Sequence, residues 1–65
     1  MTERQEVRLR ELRELKGLSQ QELASLMKVS PVSIWKWENG KDMMLSNAKK
    51  LKQILDPTNQ YRILF

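Results

Sequence analysis

The chain has no cysteine and no histidine among its 65 residues, and only two glycines, two prolines and four aromatic side chains: Trp35, Trp37, Tyr61 and Phe65. Without cysteine there is no disulfide and no thiolate metal site to staple a fold. Without histidine the commonest zinc ligand and the usual general base near neutral pH are also missing. No paired carboxylates fall in a plausible cleft, so the reading is of a protein with no cofactor, no metal and no catalytic residue, and not of an enzyme. No uncharged apolar run approaches the ~20 residues that span a bilayer, and the N-terminus is charged rather than signal-like, which leaves a membrane outside the expected partners.

What is present is ordinary for a small domain: 40% hydrophobic and 31% charged residues. A fold of this size hides only about 60% of the surface of its unfolded chain, so a single domain over residues 1–65 held by helix packing is expected. Twelve Lys and Arg against eight Asp and Glu give a net charge of +4. The excess is uneven, since residues 41–65 carry Lys41, Lys49, Lys50, Lys52 and Arg62 against two acids. That balance suits a polyanionic partner, and it also fits a basic protein with no such partner.

Leu9 and Leu12 face inward on a helix expected from about Glu3 to Lys16, which Gly17 ends. Ser19 followed by Glu22 forms a capping-box pattern for a second helix through about Lys28, with Leu23, Ala24 and Met27 inward. Ser30-Pro31 repeats a start signal, Ser as N-cap and Pro where its missing N–H costs nothing. The third helix then runs to about Glu38 and stops at Asn39-Gly40. A fourth is expected after Ser46, with Ala48, Leu51, Ile54 and Leu55 on its apolar side and Asp56-Pro57 at its end. The closing "YRILF" reads as either a short strand or a last helical turn.

Two short helices joined by a tight turn at Val29-Ser30 follow the helix-turn-helix plan, in which the second helix is presented to a DNA major groove. Ile34 and Trp37 share one face of that second helix and belong to the core, while Pro31, Val32, Trp35 and Lys36 lie on the other. The segment resembles the helix-turn-helix of the phage repressor and Cro family, the Cro/CI-like or xenobiotic-response-element type. The matching residues are Leu18-Ser19-Gln20, Glu22-Leu23-Ala24, Val29-Ser30, Ser33-Ile34 and Glu38-Asn39-Gly40-Lys41, with Arg13 upstream. The likeness covers roughly residues 7–55 and implies an all-α, compact, four- to five-helix lambda-repressor-like domain, with its helix-turn-helix over residues 19–39.

The resemblance implies roles residue by residue. Pro31, Val32 and Lys36 stand at the base-reading positions. Gln20, Ser33, Asn39 and Lys41 stand where the DNA backbone is met. Arg13 falls where the family has an arginine paired with the glutamate that is Glu38 here, a structural pair that also aims Arg13 toward a phosphate or is structural alone. Trp35 is either a partly exposed indole or a further DNA contact. Lys49, Lys50 and Lys52 read as a solvated helix face, and the Met43-Met44 pair as core filler or interface packing.

Three departures from the family pattern stand out. Lys28 replaces the small turn residue, at about 1 kcal/mol if the backbone there is left-handed. Pro31 and Val32 replace polar readers, leaving Val32 contact with thymine methyl groups, while Lys36 reaches guanine or merely a phosphate. "DMMLS" replaces the Pro-containing link to the fourth helix.

The expected function is a sequence-specific regulator of transcription that binds double-stranded DNA. It is read as a prokaryotic or phage repressor, cytoplasmic and nucleoid-associated, acting as a homodimer on an inverted repeat. Its dimer surface is expected on the fourth helix and residues 57–65, through Leu55, Tyr61, Ile63, Leu64 and Phe65. The alternatives are a protein-interaction module, antitoxin or adaptor, whose tail grips a protein partner, and the DNA-binding part of a longer chain.

Overall fold

The computed structural model describes residues 4–41 and 43–65. In chain order they form β1 (Gln5–Arg8), α1 (Leu9–Leu15), α2 (Gln20–Met27), α3 (Pro31–Glu38), α4 (Leu45–Leu55) and β2 (Tyr61–Leu64). The domain is thus four helices with a two-stranded parallel sheet, rather than all-α.

The sheet corrects the reading of the N-terminus. Residues expected in the first helix form β1 instead, and α1 starts only at Leu9; Glu3 lies outside the described residues. Val7, 6% exposed, is the buried position of a strand flanked by exposed Glu6 and Arg8. Its register partner is Ile63, itself half-buried, and Glu6 faces Arg62 at 3.7 Å on the exposed side. Of "YRILF", Tyr61–Leu64 is therefore a strand. A parallel pair needs a long crossover, and here all four helices provide it.

Three helices end alike. After α1, Gly17 takes φ +71° while its N–H bonds the Glu14 carbonyl and the next N–H bonds that of Arg13. After α3, Gly40 at φ +74° does the same with Trp37 and Lys36 as acceptors. After α2 the left-handed residue is Lys28 (φ 59°, ψ 43°), with Ser25 and Ala24 accepting. This closure satisfies carbonyls that a helix end leaves open, and glycine adopts it without the ~1–2 kcal/mol that a Cβ adds.

Starts differ more. The capping box of α2 is complete: Ser19 N–H donates to Glu22 Oε1 and Glu22 N–H to Ser19 Oγ, both at 3.0 Å. The Ser19 N–H, and after it the Ser19 hydroxyl, hold the Glu22 carboxyl below its ordinary value. Ser30 stands at the N-cap of α3, but its hydroxyl makes no capping bond, so Pro31 at the first position is the start signal that operates. Likewise α4 begins at Leu45, not after Ser46, without a side-chain cap.

The core joins β1 and all four helices through Val7, Leu9, Leu12, Leu23, Ala24, Met27, Ile34, Trp37, Leu51 and Leu55, and Tyr61 and Ile63 of β2 pack against it half-buried. Ala48 and Ile54 are half-buried, as is Met43, whereas Met44 is 65% exposed. The "DMMLS" link is described apart from Asp42, which lies outside the described residues.

Beyond α4, Asp56 turns the chain into β2. Its carboxylate accepts the Gln60 N–H at 2.8 Å and the Tyr61 N–H at 2.9 Å. Burial alone would raise this carboxyl; the two N–H donors and the nearby charges of Lys52 and Lys16 reverse that and hold it below its ordinary value.

Candidate nucleic-acid interface

The way α3 is seated decides what it offers to solvent. Ile34, fully buried, and Trp37, 5% exposed, anchor it against the buried residues of α2 and α1. At i, i+3 and i+4 on the far side stand Val32 (60% exposed), Trp35 (48%) and Lys36. Pro31 is exposed at the start of this face and Ser33 half-buried at its flank. The two indoles that sit two residues apart thus do different things: one fills the core, the other borders the outward face. Glu38 is the acid of α3, and it is turned inward, so α3 itself brings no carboxylate to its outward face.

Inward, Glu38 is the hub of a buried polar network. Arg13 Nε donates to Glu38 Oε2 at 2.5 Å, and the two side chains are 10% and 4% exposed. Arg13 Nη1 donates to the Leu18 carbonyl at 2.7 Å, in the turn before α2. Gln20 Nε2 donates to Glu38 Oε1 at 3.0 Å. One ion pair therefore ties α1, α2 and α3 together. Arg13 spends its guanidinium on this task, and Gln20 keeps one amide N–H and its carbonyl oxygen for other partners. The Gln20–Glu38 bond spans 18 residues, so no local spacing announces it.

At the end of α3 a second arrangement links three candidate residues. Asn39 Nδ2 donates to the Trp35 carbonyl at 2.8 Å. Gly40 turns the chain back, so that Lys41 N–H reaches the Lys36 carbonyl at 2.8 Å and the Lys41 ammonium lies 5.6 Å from the Trp35 ring centroid. That is a cation–π distance, and it holds the lysine beside the outward face. The Asn39 bond follows i, i+4 spacing and was legible in principle; the Trp35–Lys41 stack exists only because Gly40 reverses the chain.

Of the remaining cations, Lys49 and Lys50 lie exposed on α4, and Lys52, half-buried, stands near Asp56. None is brought to the outward face of α3 by the contacts above. Among the described residues no group of acids forms a metal site, and no helix is long and apolar enough to cross a membrane.

A short helix packed beneath a second one, with the second turned outward on two buried anchors, defines a helix-turn-helix protein. A family model described as Helix-turn-helix matches residues 9–58, and the chain belongs to that family, the Cro/CI type, whose members are DNA-binding regulators. The match runs from the first residue of α1 past the end of α4, so β1 and β2 lie outside it. No curated protein and no solved structure matches the chain.

Proposed function

We propose that this domain is a sequence-specific regulator of transcription that acts as a dimeric repressor on an inverted-repeat operator in double-stranded DNA, with α3 in the major groove. The observation that carries this reading is the outward face of α3. Val32, Trp35 and Lys36 project from it, the one carboxylate of α3, Glu38, being paired inward with Arg13, and Lys41 is stacked at its end. Pro31 and Val32 read by shape and by contact with thymine methyls, and Lys36 donates to guanine O6 or N7. Gln20, Ser33, Asn39 and Lys41 meet phosphates on either side.

Dimerisation is supported by apolar residues that the fold leaves outside. Leu51 and Leu55 are wholly buried, and Tyr61 and Ile63 pack on the chain's own core. Leu55 is thereby removed from the expected dimer surface, while Leu64 (42%) and Phe65 (47%) stay exposed, as do Met44 and Leu45 at the start of α4.

The test is selection from a random-sequence duplex pool at ~0.15 M salt, where non-specific attraction is weakened. Recovery of an inverted repeat with half-sites about 34 Å apart supports the dimeric regulator. A folded protein that selects no sequence refutes it and directs attention to a protein partner for the same exposed residues.

A further inference from the structure

Arg10, on the exposed side of α1, has no part in the face described above, yet it opens onto the same region. A cleft of about 400 Å³ lies where α1, α2 and the end of α3 meet, lined by Arg10, Arg13, Gln20, Trp35, Glu38 and Asn39. Its wall is almost wholly polar apart from the indole. Within it the Glu38 carboxylate is already neutralised by Arg13 and bonded by Gln20. The formal charge of the lining is therefore +1, from two arginines and one glutamate, and it resides on Arg10.

The donors are also uncommitted where it matters. Gln20 and Asn39 each give one amide hydrogen to the protein, to Glu38 and to the Trp35 carbonyl, and each amide has a second. Among the described residues Arg10 makes one ion pair, through Nε to Glu14 Oε1 at 3.4 Å. Both partners are more than half exposed, with side-chain accessibilities of 69% and 57%, so the pair is weak and readily exchanged. Among the described residues the terminal nitrogens of the guanidinium, in the fork that suits a phosphate, make no hydrogen bond.

Resting on the DNA-binding reading above, we propose that this cleft is a seat for one backbone phosphate, and that Arg10 leaves Glu14 to clamp it together with Gln20 and Asn39. Glu14 then acts as an intramolecular competitor that holds the cation in place until DNA arrives. The Trp35 ring forms the apolar side of the seat and packs against the adjoining sugar.

The test is a salt titration of binding to a short DNA duplex, read by fluorescence anisotropy, on the full chain. Arg10→Ala is expected to lower the slope of log K against log salt by about 0.9, and the affinity by about tenfold, for each protomer bound. Lys49→Ala, an equal charge change on exposed α4, is the control and leaves the slope as in the wild type. Glu14→Gln is expected to raise affinity about two- to fivefold, and to do nothing once Arg10 is alanine. If the parent chain binds duplex and Arg10→Ala changes the slope no more than Lys49→Ala does, the seat is overturned and the DNA-binding reading stands. A gain from Glu14→Gln that persists without Arg10 overturns it too, since that gain is then bulk charge. If the parent chain binds no duplex, both fall.

Discussion

Glu38 is the residue whose loss should be felt throughout the domain. Its carboxylate is 4% exposed and accepts from Arg13 and Gln20, so Glu38→Ala strands a buried guanidinium without a counter-charge. Breaking a buried pair in this way costs about 3–5 kcal/mol. A chain of 65 residues has a total stability of about 3–10 kcal/mol at the usual ~0.05–0.15 per residue. Glu38→Ala is therefore expected to bring the domain to the edge of unfolding. Glu38→Gln is milder, because one oxygen still accepts while the new amide meets the Arg13 N–H, donor against donor. Replacing both charges by apolar side chains, as in Arg13→Met with Glu38→Leu, removes the stranded charge. It leaves only the Leu18 carbonyl and the Gln20 amide short of partners, at about 1–3 kcal/mol. The double variant should then be more stable than either single one. Urea unfolding followed by the fluorescence of buried Trp37 reads this directly. With a slope near ~1 kcal/mol/M, a loss of about 3 kcal/mol moves the midpoint by ~3 M. Single losses that simply add in the double variant, or a Glu38→Ala midpoint within ~0.5 M of the wild type, would refute the reasoning.

Other consequences are as direct. Lys28→Gly relieves a left-handed backbone at an exposed position; after allowing for the freer unfolded chain, it should gain about 0.5 kcal/mol, or ~2–4 °C in Tm, and a lower Tm would contradict it. Asp56 has its folded pKa depressed, so its contribution is present above the unfolded value of about 3.9 and disappears as pH falls below that through the folded value. Thermal melts should accordingly show Asp56→Asn less stable than the wild type at pH ~6, with the gap narrowing toward pH ~2; a gap independent of pH would assign the effect to packing. Lys41→Ala should weaken binding to all duplexes alike and reduce the salt slope by about 0.9 for each protomer bound, whereas Lys36→Ala should relax preference at one base pair of each half-site by about 1–3 kcal/mol, and equal effects would sink base reading by Lys36. Because β2 completes the core, self-association is better tested by Leu64→Lys with Phe65→Lys than by deletion; sedimentation identical to that of a wild-type dimer would remove those residues from its interface.

How far the sequence alone reached depends on whether the relevant signals are local. The capping box at Ser19 and Glu22, the prolines and glycines at helix ends, and the spacing of Leu23, Met27, Ile34 and Trp37 are all set within one or two turns. Helix existence and the buried face of each helix were therefore legible from residue order. So was the division of labour between Trp35 and Trp37, since two residues of helix place them on different sides. The tertiary structure decided what depends on distant partners. Gln5–Arg8 is a strand because Tyr61–Leu64 lies beside it, and nothing within reach of Val7 along the chain says so. Gln20 is bound to Glu38, Lys41 lies over Trp35, and Arg10 shares a cleft with Asn39, each through a fold that first had to bring the elements together. Periodicity and capping act over a few residues and are written in order along the chain. Strand pairing and convergence of donors depend on which segments the core happens to hold side by side, and that only the assembled molecule determines.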